Sequence, residues 1–268
     1  MRSPVALGFY PFNKKELENQ VRKYLVSERG FNALGAIVPH AGYQFSGSVA
    51  GATFKSAKTD KKKFILFGPN HTGYGSDIAL SSEEWQTPLG IVRIDRGLVD
   101  KIKENINIDE SAHRYEHSLE VQLPFLQILY RNFSIVPICL SNPDFDELEK
   151  ISEQLVFDDC FYIASSDFIH FGPMYDYMPV GGSLEDQLRW VKNMDKKIVD
   201  IICRLEAKKF YNSVVDNNYT VCGFVPITLL ILIMKKLGAK GGTLVDYKTS
   251  HDVHPDSSFV SYAGIVFE

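Results

Sequence analysis

Four continuous apolar runs of strand length lie along the chain, at residues 33–38, 64–67, 134–140 and 161–164. Their apolar residues do not alternate with polar ones, which is typical of strands covered on both faces in a largely parallel sheet. The pattern therefore predicts a central, largely parallel sheet flanked by helices.

Segments with helical spacing separate these runs. The predicted helices cover residues 14–26 (capped by Asn13), 46–55, 98–104, 119–130, 144–155, 184–204 and 223–237. Thr87-Pro88-Leu89-Gly90 predicts a hairpin turn joining residues 78–81 to 91–94, and alternating segments at 242–247 and 258–267 predict two closing strands. Because no repeat or long linker divides the chain, we predict one α/β domain over residues 1–268 with a mixed sheet.

Composition narrows the class of protein. The chain has 268 residues, and its 29 basic and 33 acidic residues give a net charge of −4. A mildly acidic chain lacks the basic footprint of a nucleic-acid binder, so no nucleic-acid partner is expected. No apolar segment approaches the ~18–20 residues of a membrane helix, so no membrane partner is expected either.

The cysteine pattern and the N-terminal residues indicate where in the cell the protein is expected. Cys139, Cys160, Cys203 and Cys222 form no CxxC pair, which argues against a disulfide framework and fits a reducing environment. Residues 1–10 lack the pattern of a signal peptide. We therefore predict a cytoplasmic protein.

Three histidines follow three of the apolar runs: His40, His71 and His170. In open parallel sheets, ligands bind outside the carboxyl ends of the strands. Because parallel strands end at one edge of the sheet, the three side chains are expected to share a site. A single histidine at a strand end is usually a hydrogen-bonded loop residue, but three together favour a common function.

Other polar residues leave alternatives open. Cys222 precedes a helix, where the N-terminus favours a thiolate, although its spacing alone fits a structural cysteine. His117 can reach the site or bond locally, and His113 fits a surface position. His251 and His254 lie in a loop between predicted strands, where a solvated turn is the simpler interpretation.

A series of short motifs follows along the chain: Gly8-Phe9-Tyr10-Pro11, Val38-Pro39-His40-Ala41-Gly42-Tyr43, Gly68-Pro69-Asn70-His71, Trp85-Gln86-Thr87-Pro88-Leu89-Gly90, Glu116-His117-Ser118-Leu119-Glu120, Ser165-Ser166-Asp167-Phe168-Ile169-His170, Cys222-Gly223 and Ser261-Tyr262-Ala263-Gly264-Ile265-Val266-Phe267. Taken in this order, the motifs resemble those of the Memo family. Each motif is weak alone, but the series covers almost the whole chain.

The resemblance implies the fold of class III extradiol ring-cleaving dioxygenases, which hold Fe(II) with two histidines and a carboxylate. It makes His40 and His71 metal ligands and His170 the acid/base. Cys222 falls where the carboxylate ligand is expected. The resemblance also lines the pocket with Tyr43 and His117 as substrate-binding residues and with Asp167 as a second catalytic residue.

These features predict a His/His/Cys site for iron or copper, with zinc as a further fit, in a redox protein that acts on a small-molecule substrate. One alternative is a binding module whose pocket receives a peptide or protein. Another is an extradiol-type dioxygenase, which the missing carboxylate ligand disfavours. The oligomeric state stays open.

Overall fold

A ten-stranded sheet forms the centre of the protein, which the computed structural model describes over residues 1–268. The strands are β1 (Phe31–Asn32), β2 (Gly35–Val38), β3 (Ala57–Lys58), β4 (Lys63–Pro69), β5 (Ile78–Leu80), β6 (Trp85–Thr87), β7 (Gly90–Ile94), β8 (Ser134–Leu140), β9 (Cys160–Ser165), β10 (His170–Phe171), β11 (Gly242–Thr249) and β12 (Phe259–Phe267). The short strands β1 and β3 pair separately.

The four predicted apolar runs are the middle of the large sheet. The strands run in the order β10-β12-β2-β9-β4-β8-β7-β6, with β11 on β12 and β5 on β8. The central neighbours β2, β9, β4 and β8 are all parallel. Antiparallel pairs at both sides make the sheet mixed. The predicted α/β class and largely parallel sheet are confirmed.

Nine α-helices flank this sheet. They are α1 (Lys14–Tyr24), α2 (Tyr43–Ser56), α3 (Arg96–Ile102), α4 (Glu110–His113), α5 (Leu123–Leu129), α6 (Phe145–Gln154), α7 (Leu184–Cys203), α8 (Ala207–Asp216) and α9 (Phe224–Lys236). Asn13 caps α1 as predicted, since its side chain accepts hydrogen bonds from the backbone N–H groups of Lys15 and Glu16. No helix has both the length and the apolar character needed to cross a membrane.

The hairpin and helix α8 are two of the elements that differ from the sequence predictions. The turn at Pro88-Leu89 joins β7 to β6, whereas the predicted partner strand, β5, pairs with β8 instead. The short turn pairs Thr87 with Gly90 across Pro88 and Leu89. The partner of β7 is therefore β6, the segment that immediately precedes the turn. Helix α8 was not predicted, although Ala207, Phe210 and Val214 bury one side of it.

The N-terminal segment is fastened to the turn that follows α4. The buried carboxylate of Glu120 accepts hydrogen bonds from Arg2 Nη1 at 2.6 Å, from the backbone N–H of Val5 and Ala6 at 3.0 Å, and from the Tyr10 hydroxyl. Arg2 Nε also donates to the carbonyl of His113 at 2.7 Å. These contacts hold residues 113–120 in place.

Candidate metal centre

The carboxyl ends of three adjacent parallel strands bring the first site residues together. His40 follows β2, His71 follows β4, and Asp167 follows β9, which lies between them. The register aligns Val38 with Ser165, so the two strands end level with each other. The expectation that His40 and His71 meet at one sheet edge is confirmed.

The start of α9 adds a segment to this edge. Val221 forms an antiparallel bridge with Ile169, and Thr220 Oγ1 accepts a hydrogen bond from the His170 N–H at 3.0 Å. A Cβ on Gly223 would lie 2.5 Å from the carbonyl oxygen of Ser165, so only glycine allows this close approach. Cys222 is thereby placed against the end of β9.

His40, His71 and His117 form the tightest group of metal-capable side chains. One ligand atom from each lies within 4.8 Å of the other two, which is close enough to hold a metal ion. The ring centroids are 5.1 Å apart for His40 and His71, and 5.0 Å apart for His71 and His117. The ring of Phe9 lies over His117 with a centroid distance of 4.1 Å.

A buried carboxylate, Glu116, orients two of these rings. It accepts hydrogen bonds from the His71 backbone N–H at 2.7 Å, from His71 Nδ1 at 3.1 Å and from the Ser118 N–H at 2.8 Å. His117 Nδ1 lies 3.5 Å from the same carboxylate. Burial alone would raise the pKa of Glu116, but the bonded His71 and the nearby His117 lower it to about 2.

The histidines of the site share one pattern of hydrogen bonding. The Nδ1 atoms of His40, His71 and His170 each have a protein partner, and His117 Nδ1 faces Glu116. His170 Nδ1 lies 2.9 Å from the carbonyl oxygens of both Phe168 and Thr220. Because carbonyl oxygens only accept, this nitrogen carries a proton, and in the neutral ring of His170 the lone pair is on Nε2.

Burial keeps two of the rings neutral. The pKa of His40 lies well below its usual value because burial, and then the neighbouring His71, oppose a positive charge. Burial and the nearby His40 lower the pKa of His117 to about 4. Burial lowers the pKa of His71, but the hydrogen bond to Glu116 and the charges of Glu116 and Asp167 together outweigh it and move the pKa upward. Neutral imidazole is the form that binds metals.

These groups line a cleft of about 450 Å³ at the edge of the sheet. The polar lining consists of His40, His71, His117, Asp167, His170, Ser250, His254, Asp256 and Ser258. Aromatic and apolar side chains, among them Phe9, Phe45 and Tyr175, complete the wall. The volume is that of a small-molecule site.

The sequence matches one family over nearly its whole length. The family model described as Memo-like protein covers residues 2–266. The chain belongs to the Memo family. A MEMO1 family protein of Archaeoglobus fulgidus is 39% identical over 100% of this chain and 99% of its own. MEMO1 family proteins of Methanosarcina barkeri (38% identical, 100% of each chain) and Pyrococcus furiosus (34% identical, 99% of this chain and 98% of its own) are similar.

In this Memo family protein, Cys222 lies beside the three histidines but outside their group. Its Sγ is 3.3 Å from His40 Nε2 and also accepts from the Asp167 N–H at 3.3 Å. Burial raises the pKa of the Cys222 thiol, and the adjacent Asp167 raises it further. The thiolate expected at the start of a helix is therefore not favoured, because desolvation outweighs the helix terminus.

Tyr43 and Asp167 differ in their relation to the cleft. The Tyr43 side chain is buried, its hydroxyl donates to the Val121 carbonyl at 2.6 Å, and it does not line the cleft. Asp167 does line it: Oδ1 accepts from the backbone N–H of His40 at 2.8 Å, and burial raises the pKa of this carboxyl.

Sequence reasoning missed two contributors to the site. Glu116 was quoted only as part of a motif, although an acidic residue directly before His117 was a usable signal. His254 is exposed in a turn, as interpreted, and its place in the cleft wall was the part not predicted. The surface position expected for His113 is wrong, because its ring is fully buried against Trp85 and bonds to the Ala79 carbonyl.

Proposed function

We propose that the cleft binds a redox-active transition metal, iron(II) or copper, through His40, His71 and His117. In this proposal the protein is a metal-dependent oxidoreductase acting on a small molecule. The observation that supports it is the group of three imidazoles, whose ligand atoms lie within 4.8 Å of one another in the lining of a cleft. The size of that cleft suits one small substrate.

The donor set fits such a metal. Imidazole nitrogen suits zinc, copper, iron and nickel, whereas magnesium and calcium prefer oxygen ligands. Three protein ligands leave further positions open, as catalytic rather than structural sites require. A metal-binding histidine also usually donates its second nitrogen to a carboxylate, and Glu116 supplies that partner to His71. A bound iron or copper ion would supply one-electron chemistry.

This ligand set replaces Cys222 with His117 relative to the sequence-based set. The thiol sulfur is 3.3 Å from His40 Nε2, but it is not within the mutual 4.8 Å of the histidine group. Cys222 is therefore assigned as a neighbour of the ligand His40, and its replacement by serine provides the test between the two sets.

His170 is assigned as the proton acceptor and donor of the cleft. Its Nδ1 is committed to two carbonyl oxygens, so its Nε2 lone pair can accept a proton from a bound molecule. Asp167 lines the same cleft and fixes the backbone of His40 and Ala41 through Oδ1. We assign its carboxylate to stabilising a positive charge that develops on the neighbouring imidazole rings.

Metal titration under argon tests the proposal. Iron(II), and copper(I) with a competing chelator, are titrated into the wild type and the single alanine variants of His40, His71 and His117. Each variant should lose more affinity than the ~10–100-fold typical of a lost outer hydrogen-bond partner. Cys222→Ser and His170→Ala should bind within a few-fold of the wild type, with His251→Ala, a half-buried histidine outside the cleft lining, as control.

The competing function is a peptide-binding module. One observation favours it: Met174 at the cleft wall is 75% exposed, which gives the mouth an apolar rim. If anaerobically prepared wild type binds neither metal, or if all the alanine variants bind as the wild type does, the metal proposal fails and this alternative takes its place.

A further inference from the structure

The proton on the His40 ring is not determined by its nearest partner. His71 bonds to a carboxylate and His170 to carbonyl oxygens, and all of these only accept. His40 Nδ1 instead lies 3.0 Å from the hydroxyl of Ser165, which can either donate or accept. Which nitrogen of His40 keeps a lone pair therefore depends on the hydrogen bonds around Ser165.

Those hydrogen bonds leave one consistent arrangement. Ser165 Oγ lies 2.9 Å from Gln122 Nε2, which can only donate, and 2.7 Å from the carbonyl oxygen of Ser118, which can only accept. The hydroxyl has a single hydrogen, and the short contact to Ser118 takes it. Ser165 Oγ has no hydrogen left for His40, so His40 Nδ1 must be the donor.

The orientation of the Gln122 amide is itself fixed. Its Nε2 also donates to the Pro39 carbonyl at 3.1 Å, while its Oε1 is buried without a hydrogen-bond partner. Exchanging the two atoms would place the amide oxygen against the carbonyl oxygens of Pro39 and Ser118, which repel it. The hydrogen bonds donated by Gln122 Nε2 therefore fix the amide, although Oε1 has no hydrogen-bond partner.

We propose that Ser165 is a positioning residue that, through its bond to the Ser118 carbonyl, holds His40 as its Nδ1–H tautomer and so leaves the Nε2 lone pair bare. The metal-binding role of that lone pair rests on the proposed function, whereas the tautomer itself does not. The same arrangement makes Nε2 an acceptor for the Cys222 thiol, whose sulfur is 3.3 Å away.

Nuclear magnetic resonance of the metal-free protein tests the tautomer directly. Long-range proton–nitrogen correlations of ¹⁵N-histidine-labelled, chelator-treated protein at neutral pH separate a protonated ring nitrogen from a bare one. His40→Gln identifies the His40 signals. We expect a protonated Nδ1 and a bare Nε2. A protonated Nε2, or a pair of signals averaged between the two forms, would overturn the proposal.

Two variants test how the tautomer is held. Ser165→Ala removes the acceptor of the His40 Nδ1–H, so it should move the His40 nitrogens toward averaged positions and lower the affinity for zinc or copper(I) by ~10–100-fold. Gln122→Met leaves the bond between Ser165 and the Ser118 carbonyl in place and should keep Nδ1 protonated. The control is Ser152→Ala, another buried serine, whose hydroxyl donates to the Glu149 carbonyl within α6. Unchanged His40 signals in Ser165→Ala would also contradict the positioning role.

The tautomer measurement and the metal titration together separate this inference from the proposed function. A wild type with a protonated Nδ1 that binds no metal would refute the proposed function and leave the tautomer assignment standing. A wild type that binds metal but carries its proton on Nε2 before binding would do the reverse. If Ser165→Ala does not fold, the wild-type spectrum and Gln122→Met still decide the outcome.

Discussion

Glu116 is bonded to His71 at two points, with Oε2 2.7 Å from the backbone nitrogen and Oε1 3.1 Å from Nδ1 of the ring. The two bonds fix the position of the loop after β4 as well as the orientation of the imidazole. A single buried carboxylate thus determines both where this ring lies and which of its nitrogens faces the cleft.

Replacing Glu116 with glutamine should weaken metal binding without removing a ligand. The amide can occupy the same space, but it loses the charge that keeps His71 Nδ1 protonated and its Nε2 available. We expect a ~10–100-fold loss of affinity in an anaerobic competition titration. Asp95→Asn is the control, because Asp95 caps α3 away from the cleft. Equal affinities for wild type and Glu116→Gln would contradict the orienting role.

The order of cysteine reactivity is a second prediction. Burial raises the thiol pKa least for the half-buried Cys203, to about 11, whereas it reaches about 12 for Cys160 and lies higher for Cys222. Since the thiolate is the reactive form, brief alkylation of the metal-free protein should label Cys203 first. Peptide mass mapping measures this. Labelling of Cys222 ahead of Cys203 would show that its thiolate is stabilised after all.

The sequence predicted the strand ends well because they follow from local pattern. Continuous apolar runs placed β2, β4, β8 and β9, and parallel strands necessarily end at one edge, so His40 and His71 could be paired in advance. The third member of the group could not. His117 lies in an irregular turn between α4 and α5, where no periodicity indicates the direction of a side chain.

Cys222, the third ligand predicted from the sequence, shows a different limit of local pattern. Its position before α9 was predicted correctly, as Gly223 is the helix cap. Its environment depends on how closely that helix start packs against Ser165 and Ser166, which is a long-range contact. Local sequence reports the helix terminus, but the desolvation that opposes a thiolate is a property of the assembled fold.

Removing Arg2 should destabilise the protein strongly. Its guanidinium is buried, bonds to Glu120 at 2.6 Å and lies over the Trp85 ring at 4.0 Å. Loss of one partner leaves the other charge buried and unpaired, so Arg2→Met should cost about 3–5 kcal/mol in urea unfolding. The exposed pair of Arg22 and Glu18 is the control, and Arg22→Ala should change stability by about 0.5 kcal/mol or less. Similar losses for both variants would refute this account.

Asp195 on α7 should give the stability a distinct pH dependence. Burial raises its pKa to about 6, and the Tyr247 hydroxyl donates to Oδ2 at 2.7 Å. The unfolded chain releases this proton first, so the contribution of Asp195 to stability falls as pH rises from its unfolded value of 3.8 to about 6. Asp195→Asn keeps an acceptor for Tyr247 and should remove that fall.

Urea unfolding at a series of pH values measures the difference. Near neutral pH the Asp195→Asn variant should be the more stable protein, by up to about 3 kcal/mol. Below the unfolded pKa the two proteins should converge, because the carboxyl is then protonated in both states. Parallel stability curves for the two proteins across this range would rule out a raised pKa at Asp195.

The fastening of the N-terminal segment to Glu120 makes the cleft sensitive to proteolysis at a distance. The carbonyl of Phe9 accepts from the Tyr43 N–H at 2.7 Å, and its ring covers His117. A cut between Arg2 and Phe9 would free the donors of a buried carboxylate and uncover a ring of the metal centre. Limited digestion followed by metal titration would reveal this link. Expression tags are accordingly better fused after the exposed Glu268 than before Met1, whose amine lies 3.2 Å from Glu83.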